Sequence, residues 1–285
     1  MQAQIHAPRT GYAYNLLDNS DFRNPVNQRG QTTYDTAFGY SIDRWKLGES
    51  GTRVQIVSGG IQVGDTGNTP YPYIFQTLER LLAGMYTFAA KFTGNTGFAA
   101  LTNWFTDTGV VNAPTSTDAD GVLCMTFTCD GSLDGTNYLF FRLQQSASAQ
   151  CVFEWAALYE GEYTADTLPP YQPKGYAVEL AECQRYYQVL PETSSCIFSI
   201  SPQSGRYFSN SFALNPMRAS PNVTFVTDDN GNIGIVQGVS LVSASEINIV
   251  YNDRVKNGIL LLSTTNAAYA GLVMSFNGIQ FSADL

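Results

Sequence analysis

Apolar and polar positions alternate with a period of two along most of the chain. The alternation is clear at residues 53–57 and 61–63, and again at 86–92. It recurs at 123–129, 139–143 and 151–155. Period-two runs of this length predict strands with one buried face. Clusters of Gly, Asn and Asp separate the runs, the punctuation of an antiparallel sandwich or barrel. Beyond Pro191 the same pattern returns at 196–200, 206–212, 222–226, 246–250, 258–262 and 272–276. Asp228-Asp229-Asn230-Gly231-Asn232 predicts a hairpin turn. Residues 118–121 and 130–135 look superficially like calcium loops but lack the closing glutamate, so two further hairpin turns explain them.

One segment breaks the rule. Residues 168–175 hold three prolines and a glycine, which predicts a stiff connector. A helix is predicted next, over 177–190, closed by Pro191. Tyr176, Leu180, Cys183, Tyr187 and Leu190 are spaced 4, 3, 4 and 3 and would form one apolar stripe. The stripe suits a helix lying on its own sheet, or a helix packing against copies of itself. The expected fold is all-β, with an N-terminal jelly-roll β-sandwich, one connecting helix and a smaller C-terminal β domain. The expected boundaries are a flexible segment at 1–14, the jelly roll at 15–168, linker and helix at 169–191, and the last domain at 192–285.

Composition narrows the function. The chain has 285 residues and a mass of 31.2 kDa, enough for a sizeable core. Charged residues are 14%, far below the usual quarter, and the net charge is −9. The only lysines are Lys46, Lys91, Lys174 and Lys256, and no basic cluster exists to track phosphates. Nucleic acid and membrane insertion are therefore not expected. Residues 1–10 lack the apolar stretch of a signal peptide. Cys124, Cys129, Cys151, Cys183 and Cys196 are odd in number and have no metal-like spacing, which suits reduced, buried thiols. His6 is the one histidine, so imidazole-based catalysis and His-rich metal sites are not expected.

Sugar sites stack aromatic faces beside hydrogen-bonding side chains. The candidates are Tyr71, Tyr73 and Trp104, with Phe105 beside them; Trp45 and Trp155 lie in strand-like runs and are expected in the core. A structural calcium near the ends of the first domain would draw on Asp18, Asn19, Asp21 or Glu154. Turn formation and capping by the Asx side chains explain Asp18, Asn19 and Asp21 without it, so no cofactor is expected. Glu154, Glu160 and Glu162 do not stand out as an acid pair, and no enzyme activity is expected.

Three stretches resemble bacteriophage tail-fibre and prophage virion proteins. They are NLLDNSDFRNPVNQRG (15–30) with YSIDRW (40–45), then WAALYEGEYTADTLPPYQPKGYAVELAECQRYYQ (155–188), and FALNPMRASPNVTF (212–225) with FSADL (281–285). The first domain is also similar to carbohydrate-binding jelly rolls, in which an early N-L-x-x-N-x-x-F segment sits beside a late W-A-x-L-Y strand. The resemblance implies a virion structural protein, a tail fibre or head fibre, made in a bacterial cytoplasm. It implies a homotrimer joined through the helix stripe and the last domain, contacts with other virion proteins, and recognition of a host-surface glycan. The alternatives are a passive capsid or tail decoration protein and an accessory module of a carbohydrate-active enzyme.

Overall fold

The computed structural model describes residues 13–48, 50–66, 72–78, 81–96, 98–105, 109–111, 115–117, 120–129, 131, 138–143, 150–191, 194–200, 207–209, 211–236, 239–250, 256–269 and 272–283. The chain forms two compact units, Met1–Glu179 and Leu180–Leu285. Both are built from antiparallel strands.

The first unit contains β1 (Thr33–Tyr34), β2 (Trp45–Leu47), β3 (Thr52–Val57), β4 (Gly60–Asp65), β5 (Tyr73–Thr77) and β6 (Gly84–Thr96). It continues with β7 (Phe98–Phe105), β8 (Gly109–Val111), β9 (Thr115–Thr117), β10 (Val122–Cys129), β11 (Tyr138–Leu143) and β12 (Gln150–Glu160). A seven-stranded sheet has the order β1-β3-β4-β12-β6-β10-β9, and a five-stranded sheet the order β2-β5-β11-β7-β8. From β4 to β7, and again from β10 to β12, each strand lies in the sheet opposite its predecessor. That alternation is the jelly-roll sandwich expected. Its core draws on the inward positions of both sheets: Trp45, Leu47 and Ile74 from one, Val54, Phe88, Met125 and Leu158 from the other.

The other face of the seven-stranded sheet is also covered. A register shift between Phe153 and Trp155 inserts an extra residue opposite β6. Phe153 and Ala156 therefore belong to the core between the sheets, while Trp155 belongs with Tyr159 to a second cluster. Tyr163, Leu168 and Tyr171 pack on that cluster. The Tyr171 ring stacks on Trp155 at 4.5 Å with an interplanar angle of 5°. The proline-rich stretch, expected to be a stiff connector, is thus a strap over its own sandwich. The Lys174 ammonium is held there 3.7 Å from Asp18 and over the Tyr14 ring.

The division between units falls inside α1 (Tyr176–Gln184). The helix is shorter than the 177–190 expected, because the chain becomes β13 (Tyr187–Leu190) and pairs with β24 (Ile279–Ser282). Aromatic and β-branched residues at 186–189 suit a pleated ladder better than a last helical turn. The five stripe positions therefore do not share a helix face. Tyr176 is exposed and Leu180 half-buried, Cys183 is buried on the helix, and Tyr187 and Leu190 belong to a strand.

The second unit adds β14 (Ser195–Ile200), β15 (Tyr207–Ser209), β16 (Phe212–Ala213), β17 (Asn222–Phe225), β18 (Asn232–Val236) and β19 (Val239–Ser243). It ends with β20 (Asn248–Ile249), β21 (Ile259–Leu260), β22 (Leu262–Thr264), β23 (Val273–Phe276) and β24. The sheet orders are β13-β24-β17, β19-β18-β23-β14-β15-β22-β20 and β16-β21. Three runs expected as single strands are divided. Residues 206–212 split into β15 and β16, and part of 246–250 is a 3-10 turn before β20. Residues 258–262 split into β21 and β22, where the Ser209 hydroxyl accepts from the Leu262 N–H at 2.9 Å. Two of the expected hairpins are corrected as well. Asp228 and Gly231 do make a tight turn, but β17 and β18 lie in different sheets. The turn expected at 130–135 lies, apart from Gly131, outside the described residues; β10 and β11 on either side belong to different sheets, whereas β9 and β10 pair.

Candidate functional site

The site is assembled on the outer face of the five-stranded sheet. In β2 and β5, Trp45, Leu47, Ile74 and Gln76 point inward and are fully or almost fully buried. Strand alternation puts Lys46, Tyr73 and Phe75 on the opposite face, where all three are half-buried. Residues directly paired across an antiparallel ladder share a face. One ladder on the outer face runs Lys46, Phe75, Phe140, Thr102. A second runs Thr77, Tyr138, Trp104, Val110, and a third Tyr73, Arg142, Ala100. Among the residues whose side chains are described, the face carries the Tyr73 and Phe75 rings; the backbone register sets positions 138 and 140 of β11 and 104 of β7 in the same ladders.

The described end of this platform is ordered by specific contacts. The Tyr73 and Phe75 rings lie 5.9 Å apart, tilted by 38°. Tyr73 lies directly against Gly48, so a Cβ at position 48 would collide with its ring. Tyr40 bridges to Lys46 at the β2 edge. Its ring carries two cations, the Lys46 ammonium at 4.5 Å and the Arg29 guanidinium at 4.6 Å. Arg29 is offset by a 2.8 Å ion pair with the buried Asp43, which also accepts from the Gln28 amide at 2.8 Å.

A polar frame behind β2 and β5 fixes the platform. The Gln76 amide accepts from the Asp18 N–H at 3.0 Å and donates to the Asp18 carbonyl at 2.7 Å. Arg44 donates to Asp18 at 2.9 Å and to the Thr77 carbonyl at 3.0 Å. The Trp45 indole donates to the Asn19 carbonyl at 2.9 Å. Asn15 ties the same segment to β12, donating to the Ala156 carbonyl and accepting from the Leu158 N–H. The two stretches that carried the jelly-roll resemblance, 15–22 and 155–161, thus lie side by side.

This frame also accounts for the residues nominated for calcium. Asp18 is engaged by Arg44 and Lys174, Asp21 pairs with Arg23 at 2.8 Å, and Glu154 lies 3.9 Å from Lys91. Asn19 is spent on backbone groups. Among the described residues, no group of three or more His, Cys, Asp or Glu is placed to hold a metal ion.

Of the three residues nominated for stacking, Tyr73 and Trp104 fall on the same sheet face, and Tyr71 lies outside the described residues. Trp45 is core, as expected, and Trp155 is buried, although on the strapped face. Sequence reasoning missed Tyr40, Lys46 and Phe75. All five cysteines are free and buried, and burial pushes the Cys151 and Cys196 thiols up to about 12. Neither thiol ionises near neutral pH.

No protein-family model and no curated protein matches the chain. Among solved structures, the tandem of two CBM22 domains at the N-terminus of Paenibacillus barcinonensis Xyn10C aligns with 97% of this chain and 100% of its own, at 8% identity and a TM-score of 0.34. PfGH50B aligns with 67% of this chain at 10% identity and a TM-score of 0.30, and the chain spans only 39% of its length.

Proposed function

We propose that the first unit is a carbohydrate-binding module that holds a glycan chain on the outer face of its five-stranded sheet, by ring stacking and without turnover. The observation that carries this reading is the pair of half-buried rings Tyr73 and Phe75, 5.9 Å apart on that face, with Tyr40 bridged to Lys46 at its β2 edge. The opposite outer face is closed by the strap through Tyr171. Flat rings at strand spacing suit successive sugar rings, whose axial C–H groups pack on aromatic faces.

The setting we infer is a bacteriophage virion appendage, in which this chain assembles as a homotrimer and meets host-surface polysaccharide. The support is the resemblance of residues 15–30, 155–188 and 212–225 to tail-fibre proteins. The second unit adds support for assembly. Ile197 pairs with Val273 across β14 and β23, and both are exposed, as are Ile235 on β18 and Leu241 on β19. Aliphatic residues gathered on one sheet are more typical of a contact surface than of a solvated one.

The test is a glycan array probed with the purified chain, followed by titration of the best ligand against Tyr73→Ala/Phe75→Ala. Each ring contributes about 1 kcal/mol of stacking, so the double variant should bind roughly tenfold or more weakly. Unchanged affinity would remove this face from the site. New reducing ends on incubation with the ligand would overturn binding without turnover. Light scattering that reports a monomer at micromolar concentration would overturn the trimer.

A further inference from the structure

We infer that Phe38 is a further sugar-contacting residue, set at the β2 edge of the platform, and that the glycan crosses the strands to reach it; the inference rests on the carbohydrate-binding reading above. Residues 38–41 run antiparallel along the edge of β2. The Leu47 N–H donates to the Gly39 carbonyl at 2.8 Å, the Ser41 N–H to the Trp45 carbonyl at 2.8 Å, and the Phe38 N–H to the Gly48 carbonyl at 2.9 Å. Position 38 therefore stands opposite Gly48, two residues from the bridge between Tyr40 and Lys46. The Gly48 N–H in turn donates to the Tyr73 carbonyl at 2.8 Å, and the Tyr73 ring occupies the space that a Cβ at Gly48 would take. The row across the strands is thus Phe38, Gly48, Tyr73. Two strand spacings separate its ends, about 10 Å. The Tyr73 ring leans over the glycine between them.

Phe38 is unusual in two ways. It is 63% exposed, and it holds φ at 57°. The Gly39 N–H closes a tight turn on the Thr36 carbonyl at 3.0 Å, which puts Phe38 at the third position of that turn. A positive φ there favours Gly or Asn, and a bulky aromatic residue is an outlier. Glycine would hold the same turn without left-handed strain and without an exposed ring. What phenylalanine adds over glycine is a ring at the edge of the platform, in one row with Tyr73. An aromatic ring at that place can meet the apolar C–H face of a pyranose. A ligand that touches both Phe38 and Tyr73 is longer than a single sugar ring, and it lies across β2 and β5 rather than along them. The face therefore selects an oligosaccharide over a monosaccharide.

The experiment uses the full chain with Phe38→Gly and Phe38→Ala. The probe is the tightest oligosaccharide found on the glycan array, titrated as a series from monosaccharide to hexasaccharide. Both variants should weaken the longer members about fivefold and the shortest member that binds very little. Both should fold. Phe38→Ala should stay close to the wild-type unfolding midpoint, and Phe38→Gly should unfold about 2 °C above Phe38→Ala, because the relieved strain outweighs the extra backbone freedom of glycine. A midpoint lowered by more than about 4 °C in both variants makes Phe38 a structural anchor and overturns the inference. Unchanged affinity at every length, with Tyr73→Ala/Phe75→Ala still weakening it, also overturns the inference and leaves the carbohydrate-binding reading standing. An equal loss at every length overturns the path across the strands. No glycan bound, or binding indifferent to all three rings, overturns both readings.

Discussion

Asn19→Ala should be among the most damaging single substitutions in the first unit. Asn19 is 1% exposed and holds φ at 50°, a left-handed conformation that Asn tolerates better than Ala. Its side-chain amide donates to the Val26 carbonyl at 2.8 Å and to the Asp43 carbonyl at 2.7 Å, and its oxygen accepts from the Val26 N–H at 2.7 Å. Alanine would leave three backbone groups without these partners, at about 1 kcal/mol each. Left-handed strain adds about 1 kcal/mol more. The expected loss is therefore about 4 kcal/mol, or roughly 8–16 °C in the unfolding midpoint of a unit this size. Urea unfolding followed by tryptophan fluorescence reads it directly, since the Trp45 indole bonds to the Asn19 carbonyl. Asn19→Gly keeps the backbone and should lose only about 3 kcal/mol, the three hydrogen bonds alone. Asn19→Asp should be worse than Ala, because a carboxylate would face two carbonyl oxygens. A loss below about 1 kcal/mol for Ala would show that water replaces the amide and that the frame is not what orders β2.

Tyr171→Ala removes the ring stacked on Trp155 and uncovers the strapped face. Denaturant unfolding of the first unit should show a loss of about 2–3 kcal/mol, with glycan affinity unchanged because the ring lies on the other sheet. Glu246 is held below the usual carboxylate range, chiefly by the Ser243 N–H it accepts in a capping box. A depressed carboxyl stabilises the fold above its unfolded pKa and loses that contribution as pH falls through the folded value. Glu246→Ala should therefore cost about 0.5 kcal/mol at pH 7, a cost that fades as pH falls through the folded value, read from unfolding midpoints across the range. A cost independent of pH would assign the effect to packing instead.

Much of the sandwich was legible because the positions facing the core between the sheets recur every second residue: Tyr86, Phe88, Ala90 and Phe92 in β6, and Leu123, Met125, Phe127 and Cys129 in β10. What failed was the connection between strands. Asp228 to Asn232 carries every mark of a hairpin turn: Asp228 caps the Asn230 and Asn232 N–H groups, and Gly231 takes φ 81°. The local turn formed, but turn chemistry does not say which sheet the next strand joins; that is decided by which partner covers it. The helix stripe failed for a related reason. Tyr187 and Leu190 fit a heptad as well as they fit a strand, and the pairing with β24 tipped the balance.

The site was harder to find because its strands invert the rule that locates the core. In β5, Gln76 faces inward and Phe75 outward. A polar side chain inside and an aromatic ring outside look like noise to any count of period-two matches. Each half of the inversion has a physical cause. Gln76 can be buried because both ends of its amide are satisfied by the Asp18 backbone, so burial leaves no polar group stranded. Phe75 faces out at a cost in hydration that the sandwich alone does not require. β11 hides the same feature differently: Tyr138, Phe140 and Arg142 alternate with Leu139, Phe141 and Leu143, so both faces read as apolar. Hydropathy cannot separate a ring meant for the core from one meant for a ligand. For β5 the register can, because Gln76 pairs with the fully buried Trp45 and Ile74 is fully buried, which leaves Phe75 on the other face. Positions where local pattern and global burial disagree are where a search for a binding face starts. Phe75 is such a position on this sheet, and it lies in one ladder with Lys46 and Phe140.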